Sequence, residues 1–511
     1  MSDTSVGNKR IARNTMFMYI RSILILFVSL YTSRVLLKEL GQIDFGVYNI
    51  VAGFVTLLTF LNTAMVNSTQ RFLNCCIGED DHRAYENYFR SSILIQILFS
   101  LCLLLFAETV GLWFVDKKLN IPMDRHNAAL VVYHLGVLSF IIKILQAPFS
   151  ALIVSKERMN FFALQGIIES LLLLVIVLGL SLSHQDKLKT YAVLLLLVSL
   201  IILSLNVFYA KKIEKQVKFL PLWDKYTFVH LLAFSSWNIL GSISTIAKSQ
   251  GLNIILNIFF NVIVNAARGI AGQVFSGVST FIANFQTAFK PQLIQSYAEG
   301  NYDRYEQLTF WGTKMSAYIM WLFTLPIILT VHTLLALWLG DNNVPEHTAS
   351  FTIIALLTGL VDTYASPMAM AVSANGNIKK FQIWVSSFKI LILPIAYVMC
   401  MFDMSPELVL SVGLILDIFA VLIRLYLWKK VYPVSIKKYS LSVIFPTLSV
   451  FLVTYFLCSS IAAHISFDGL GKIIIISILT MFVNVVAIII IGLRKSEREN
   501  IFKEILRKIM K

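Results

Sequence analysis

Residues 263–288 read IVNAARGIAGQVFSGVSTFIANFQTA, an apolar stretch long enough to cross a membrane but interrupted by a regular series of polar residues. Its only charged residue is Arg268. The polar residues recur at steps of three or four, which places them along one face of a helix. They are Gln273, Ser276, Thr280, Asn284 and Thr287. The stretch therefore predicts a membrane-spanning helix with one polar face.

The rest of the chain has the same character. Of its 511 residues, 57% are apolar and 14% are charged, whereas about a quarter of a soluble domain is charged. A span needs about 20 apolar residues, and about fourteen such stretches can be placed. We number them spans one to fourteen, near residues 15–37, 44–66, 91–115, 128–153, 161–182, 190–210, 229–256, 263–288, 308–333, 350–373, 381–401, 406–428, 439–462 and 473–492. They predict an all-α integral membrane protein.

The Lys and Arg residues outside the spans predict its orientation. Most of them lie on the side of the N-terminus, including the segments after spans six and twelve and the tail from Arg494. Because positive loops stay in the cytoplasm, both ends of the chain are expected there. This distribution and attraction to anionic lipids account for the net charge of +15 without nucleic acid. The five cysteines lack metal-ligand spacing and are expected to be inert.

Comparison of the chain with itself indicates two related halves. At a shift of about 220 residues, Tyr85-Glu86 falls on Tyr305-Glu306, and the polar series of span two coincides with that of span eight. The span-two series is Asn49, Gly53, Thr56, Thr63, Asn67 and Gln70. Six spans per repeat predict two lobes of one orientation, residues 1–220 and 221–430, around a central cavity. Residues 431–511 add spans thirteen and fourteen and a basic cytoplasmic tail. Adhesion between helices is the alternative role for such polar residues.

Several Lys and Arg residues fall inside the predicted spans, where a charge needs a partner, a water-filled path or an escape to the headgroups. They are Arg21, Arg34, Lys143, Lys248, Arg268, Lys314, Lys389 and Arg424. Arg34, Lys314 and Arg424 lie near span ends and are expected to extend to the headgroups.

Two further cations are paired with acids by the repeat. The shift brings Glu169 onto Lys389 and Lys143 to within one residue of Asp362, which predicts the ion pairs Lys143–Glu169 and Asp362–Lys389. Their role is structural, or Glu169 or Asp362 is a coupling site for H⁺ or Na⁺. Asp417, deep in span twelve without an obvious partner, is an equal candidate for coupling.

Arg21, Lys248 and Arg268 remain, and they lie on spans one, seven and eight. The repeat places Arg21 and Lys248 on one central space, with Arg268 near the external end of its span. A row of cations of this kind suggests that the transported substrate is anionic. The alternative is that carboxylates not evident from the sequence neutralise these cations. The polar residues expected to bind the substrate beside these cations are Gln273, Thr280, Asn284, Thr56 and Asn67.

Four short segments resemble a known superfamily. They are Arg13-Asn14, residues 40–48 (LGQIDFGVY), residues 264–271 (VNAARGIA) and Pro291. The chain looks like a member of the multidrug/oligosaccharidyl-lipid/polysaccharide (MOP) exporter superfamily, and is most similar to its Wzx-type O-antigen and capsule repeat-unit flippases. The resemblance implies two bundles around a cavity that opens alternately to each side, moving an undecaprenyl-diphosphate-linked oligosaccharide across the bacterial inner membrane. It also implies a cationic cavity, to which Arg21, Lys248 and Arg268 correspond.

Three other functions stay open at this point. A MATE-like drug or cation antiporter has the same architecture, but its cargo favours carboxylates in the cavity, where the sequence offers only Asp44. A peptidoglycan lipid-precursor flippase also moves a lipid diphosphate. A membrane glycosyltransferase or polymerase needs larger external loops than this chain predicts. We therefore expect a transporter and not an enzyme. Its expected partners are the lipid-linked substrate, membrane lipids and the polymerase and glycosyltransferases of polysaccharide synthesis, with no cofactor beyond a coupling H⁺ or Na⁺.

Overall fold

The structure is a computed structural model in which every described element is helical. It describes residues 2–56, 59–117, 123–182, 186–215, 217–260, 262–340, 344–465, 469–494 and 497–498. The side chains of Arg34 and Thr56 lie outside this description, so the predictions made for them stay predictions.

The first nine helices cover the first predicted lobe and the first two spans of the second. They are α1 (Ser2–Thr56), α2 (Thr59–Gly78), α3 (His82–Phe106), α4 (Leu112–Lys117), α5 (His126–Ser155), α6 (Met159–Gly179), α7 (Lys187–Ile213), α8 (Lys225–Phe259) and α9 (Val262–Ala298). Helix α1 continues through the turn predicted between spans one and two. Residues 38–43 contain no proline and mostly good helix formers, so nothing in this stretch forces the helix to end.

Seven further helices complete the described part of the chain. They are α10 (Tyr302–Leu339), α11 (Thr348–Asn375), α12 (Lys379–Met401), α13 (Pro406–Val431), α14 (Ile436–Tyr439), α15 (Phe445–Ala463) and α16 (Gly469–Ala487). Local signals explain several ends. The carboxylate of Asp186 accepts from the first amides of α7, and Gly376 ends α11 in the left-handed conformation that glycine favours.

Twelve helical segments of the described chain are long and apolar enough to cross a membrane. The two other predicted spans are spans two and eight, which correspond to the end of α1 with α2 and to α9. Span two crosses residues 57–58, which lie outside the described residues. Span eight carries Arg268 and the polar series of α9, which make it less apolar than the twelve.

The described helices form two compact units. Unit 1 contains Met1–Ile243 and Thr287–Asn301, and unit 2 contains Ser244–Gln286 and Tyr302–Lys511. Helices α8 and α9 therefore each contribute residues to both units. The lobe boundaries near residues 220 and 430 stay predictions of the sequence repeat.

Each unit has an apolar core of its own. In unit 1, Tyr133 on α5 packs among small residues of neighbouring helices and donates a hydrogen bond to the carbonyl of Ala107. In unit 2, Trp321 on α10 packs against Phe451 of α15 and donates to the hydroxyl of Thr454. A buried ring with a satisfied polar atom avoids the cost of an unpaired donor.

Candidate functional site

Arg21 of α1 lies against one face of α6 in unit 1. Its guanidinium is 4.9 Å from the centroid of the Phe162 ring. At Gly166, one turn further along α6, a Cβ atom would lie 2.2 Å from Arg21 Nε. The Nε atom is buried and has no hydrogen-bond partner among the described residues. Glycine therefore makes room for a cation that is held by a ring face and an electrostatic attraction to Glu169.

Glu169 also has a second basic neighbour. Lys143 Nζ on α5 is 3.6 Å from the Glu169 carboxylate, so the structure brings together the first predicted ion pair. Arg21, Lys143 and Glu169 form one group, which we call the unit 1 charge group. It contains two cations and one carboxylate.

The two residues of the second predicted ion pair, Asp362 and Lys389, each have a close partner that the sequence did not predict. Asp362 on α11 is 3.9 Å from Arg424 of α13, and Lys389 on α12 donates to the hydroxyl of Thr245 on α8 at 2.8 Å. Helix α11 packs along α13, which brings Arg424 to Asp362, while Asp362 also attracts Lys389 electrostatically. The sequence repeat does not specify such rotations of helices about their axes.

Asp417 has a partner that the sequence did not reveal. Lys248 Nζ on α8 is 2.6 Å from the Asp417 carboxylate on α13. Both side chains are about one-fifth exposed. Lys248 is therefore an ion-paired cation, as the alternative interpretation of the sequence allowed.

These residues form a second group, the unit 2 charge group, which consists of Lys248, Lys389, Arg424, Asp362 and Asp417. Lys389 interacts electrostatically with the other four residues. The group contains three cations and two carboxylates. Each unit thus holds, within its spans, a charge group with one cation in excess.

Two cations that were expected to extend to the headgroups are instead buried. Lys314 is 2% exposed and lies 2.6 Å from Glu497, while Arg424 is 6% exposed. Glu497 comes from the segment after the last span and covers Lys314. The acid that neutralises a cation near a span end can thus lie outside the spans.

Arg268, near the start of α9, is bound by neutral oxygen atoms. It donates to the backbone carbonyl of Ser249 at 3.1 Å and to the side chain of Asn253, both on α8. Within the described residues, no carboxylate lies within 4.0 Å of it. Its charge is therefore available to an anion.

The polar series of α9 lies on an exposed face in its first part. Gln273 and Thr280 are exposed, and Thr280 donates to the carbonyl of Ser276 on its own helix. A Cβ atom added at Gly272 or Gly277 would meet nothing within 4 Å. The series becomes buried further along, since Asn284 is only 8% exposed.

Asn67 lies in a polar cluster of unit 1 that the sequence did not predict. Its side-chain carbonyl accepts from Lys290 Nζ at 2.7 Å, near the end of α9. Further along α9, Gln292 donates to the buried carboxylate of Glu157 and Gln295 donates to Asn74. Part of the signal was present, because Lys290 follows Thr287 by three residues and extends the polar series of α9.

A second unpredicted cluster joins segments at the expected external side of unit 1. Arg125 donates to Asp44 at 2.6 Å and to Asp186 at 3.0 Å, and Lys187 lies 2.9 Å from Glu39. Burial alone would raise the pKa of Asp186, but hydrogen bonds from Arg125 and from two backbone amides outweigh it and lower the pKa. Asp44, the one acid expected at the cavity entrance, is therefore neutralised.

Solved structures with the same fold are transporters. MATE in complex with MaD3S aligns with a TM-score of 0.71 at 13% identity, covering 84% of this chain and 97% of that chain. An outward-facing multidrug resistance MATE family transporter of the MOP superfamily aligns with a TM-score of 0.72 at 12% identity, covering 83% and 95%. The chain has a MATE-like transporter fold.

A third structure with the MATE-like fold is a MOP superfamily transporter from Pyrococcus furiosus, whose binding pocket of reversed polarity suggests a different function. It aligns with a TM-score of 0.72 at 12% identity, covering 83% of this chain and 95% of that chain. No protein-family model matches the sequence, and no curated protein matches it. At such identities the likeness concerns the MATE-like fold, and the cargo has to be argued from the residues.

Proposed function

We propose that this MATE-like protein is a flippase for an undecaprenyl-diphosphate-linked oligosaccharide. It moves the diphosphate and glycan from the cytoplasmic to the outer leaflet of a bacterial cytoplasmic membrane by alternating access, as in O-antigen or capsule synthesis. The observation that carries the proposal is the excess cation in the charge group of each unit. Arg268, bound only by neutral oxygen atoms among the described residues, adds a further positive charge in unit 2.

The chemistry of such a cargo fits these residues. A diphosphate needs cations, and charge-assisted hydrogen bonds to Arg and Lys are about twice as strong as neutral ones. Sugar hydroxyls need partners, because an unpaired buried hydroxyl costs about 1–3 kcal/mol. The exposed Gln273 and Thr280 on α9 offer such partners. The polyprenyl chain can remain in lipid throughout.

A cationic drug would require the opposite balance. It needs a carboxylate without a basic partner, whereas Glu169, Asp362, Asp417 and Asp44 each lie beside a Lys or Arg. The Pyrococcus furiosus transporter, with its reversed pocket polarity, supports the use of charge as a guide to cargo in this fold. A peptidoglycan lipid precursor carries the same diphosphate. The cations therefore suit either lipid-linked substrate, and only the glycan distinguishes the two.

The proposal also covers the coupling ion and the partner enzymes. Asp362 is the carboxylate best suited to bind and release H⁺ or Na⁺, because its side chain is 67% exposed and its ion pair with Arg424 is long at 3.9 Å. The glycosyltransferases that assemble the lipid-linked glycan would supply the substrate, and a polymerase would consume the product.

The test is export of a fluorescent undecaprenyl-diphosphate-linked oligosaccharide in proteoliposomes. We expect Arg21→Ala, Lys389→Ala and Arg268→Ala each to reduce the initial rate by about tenfold, which corresponds to the loss of about 1.4 kcal/mol of interaction. Arg21→Lys and Arg268→Lys should be milder because they keep the charge. Lys380→Ala, at an exposed position in the first turn of α12, is the matched control.

Unchanged export in all three alanine variants would refute a role for the cations. Export of a cationic dye by the wild-type protein, without export of the lipid-linked glycan, would favour the drug antiporter. A comparison of the oligosaccharide with the peptidoglycan precursor, at equal concentration, separates the two lipid diphosphates.

A further inference from the structure

A cavity of about 450 Å³ opens at the expected cytoplasmic end of α7 in unit 1. It lies between the last turn of α7 and the segment that leads to α8. Its lining residues are Lys211, Glu214, Lys215, Val217, Phe219 and Leu220. None of these residues belongs to the two charge groups.

The segment that forms one wall is fixed to the helices beneath it. Arg90 of α3 donates from Nε to the carbonyl of Leu220 at 3.0 Å, and the hydroxyl of Ser91 donates to the carbonyl of Leu222 at 3.3 Å. The Phe219 ring packs edge-on against Phe89, with 5.2 Å between the ring centroids. Hydrogen bonds and ring packing with α3 therefore hold this wall of the cavity in place.

The cavity is positively charged. Its one acid, Glu214, is neutralised by Lys156, whose Nζ lies 2.5 Å from the carboxylate. Lys211 and Lys215 are exposed, and neither has a carboxylate within 4.0 Å among the described residues. Two uncompensated ammonium groups therefore remain at the cavity.

The surroundings place the cavity at the level of the lipid headgroups. Phe208, one turn before Lys211 on α7, is 70% exposed, and Trp223 is 65% exposed. Exposed Trp residues concentrate at the membrane–water boundary, while the apolar Phe208 ring suits the adjoining lipid. Leu220, 68% exposed, continues the apolar surface beside the two lysines. A ligand here meets positive charge at one end and an apolar surface at the other.

We propose that this cavity binds the phosphate of an anionic glycerophospholipid from the cytoplasmic leaflet. Lys211 and Lys215 contact the phosphate, and the apolar surface of Leu220 and Phe208 contacts the start of the acyl chains. Basic clusters at the cytoplasmic surface attract anionic lipids, and lysine binds phosphate as a point charge. This lipid site does not depend on the cargo. A negative result for lipid binding would therefore leave the proposed flippase function untouched, and a negative result for export would leave the lipid site untouched.

The test is native mass spectrometry of the full-length protein titrated with phosphatidylglycerol or phosphatidylcholine. We expect the wild-type protein to retain phosphatidylglycerol, and the double variant Lys211→Gln/Lys215→Gln to bind it about 30-fold more weakly. Lys429→Gln/Lys430→Gln is the control, because it removes two exposed lysines from the last turn of α13 that are not among the lining residues of the cavity. Leu220→Ser, which keeps both lysines, should weaken retention of the lipid through its acyl contact.

Three results would overturn the proposal. The first is equal retention of phosphatidylglycerol by the wild-type protein and the cavity double variant. The second is an equal loss in the control double variant, which would indicate general surface charge. The third is a lack of selectivity for a whole anionic lipid, shown either by displacement with millimolar inorganic phosphate or by equal retention of phosphatidylcholine.

Discussion

At the scale of single residues, Gly166 determines where Arg21 can lie. A helix interior usually favours alanine over glycine by about 1 kcal/mol. Here the gain would be offset, because a Cβ atom at 2.2 Å from Arg21 Nε forces the guanidinium away from α6. The glycine therefore has a positioning role in the unit 1 charge group.

We expect Gly166→Ala to reduce export as strongly as Arg21→Ala, without unfolding the protein. The reason is the displaced guanidinium, and the measurement is the initial export rate together with the thermal unfolding temperature. Gly179→Ala is the matched control, because it lies on the same helix and an added Cβ meets nothing within 4 Å. Equal export by both variants would contradict the positioning role of Gly166.

The carboxylate of Asp186 predicts a defined pH dependence. Its pKa is lowered below the ordinary value of 3.8, so its ion pair with Arg125 stabilises the folded state above that pH. The contribution is lost as the pH falls below 3.8 and the folded protein takes up the proton. Asp186→Asn keeps a cap for α7 but removes the charge.

We therefore expect Asp186→Asn to destabilise the detergent-solubilised protein by about 1 kcal/mol at pH 7. The difference between the variant and the wild-type protein should shrink when thermal unfolding is followed below pH 3.8. A difference that stays constant over the whole pH range would show that the charge of Asp186 does not contribute.

At the scale of elements, α9 combines an exposed polar face with a buried continuation. Gln273 and Thr280 are exposed, whereas Asn284 is 8% exposed. No neighbouring atom lies within 4 Å of a Cβ added at Gly272 or Gly277. A face of this composition is suited to water or a polar cargo and poorly suited to lipid.

We expect a charged methanethiosulfonate reagent to modify Gln273→Cys and Thr280→Cys about tenfold faster than Asn284→Cys, because a thiol must be accessible to react. The background is Cys102→Ser, since Cys102 is exposed and the four other cysteines are buried. The rate is measured by the mass shift of the intact protein in nanodiscs. Equal protection at all three positions would indicate that this face of α9 lies against lipid.

The sequence predicted elements more successfully than partners. The spans, and the two helices with polar series, follow from composition and helical spacing. The ion pair of Lys143 with Glu169 could be predicted because both residues lie at similar depth on consecutive spans. The partners of Asp362 and Asp417 could not be predicted. Asp362 on α11 lies beside Arg424 of α13, and Asp417 on α13 lies beside Lys248 of α8. The axial rotation that selects such a partner depends on the packing of whole helices, which a repeat of about 220 residues does not specify.

At the scale of the whole molecule, the two units repeat a balance of charge and not a set of residues. Unit 1 reaches an excess of one cation with three side chains, and unit 2 reaches it with five. Corresponding positions carry opposite signs, as Glu169 and Lys389 illustrate. A balance that persists while the individual residues differ is what an anionic cargo would require of both halves.

The proposed cargo implies that the membrane potential drives export. An inside-negative potential of 100 mV contributes about 2.3 kcal/mol for each uncompensated negative charge that moves outward, or about 50-fold in the distribution of the cargo. In proteoliposomes, we expect a potassium diffusion potential set with valinomycin to increase net export of the lipid-linked oligosaccharide, and its collapse to remove the increase. Asp362→Asn provides the comparison with ion coupling: if H⁺ moves through Asp362, the variant keeps its response to the potential but loses its response to a pH gradient. If net export by the wild-type protein does not change with the potential, the diphosphate crosses the membrane with its charge fully neutralised. The excess cations would then have no part in the driving force.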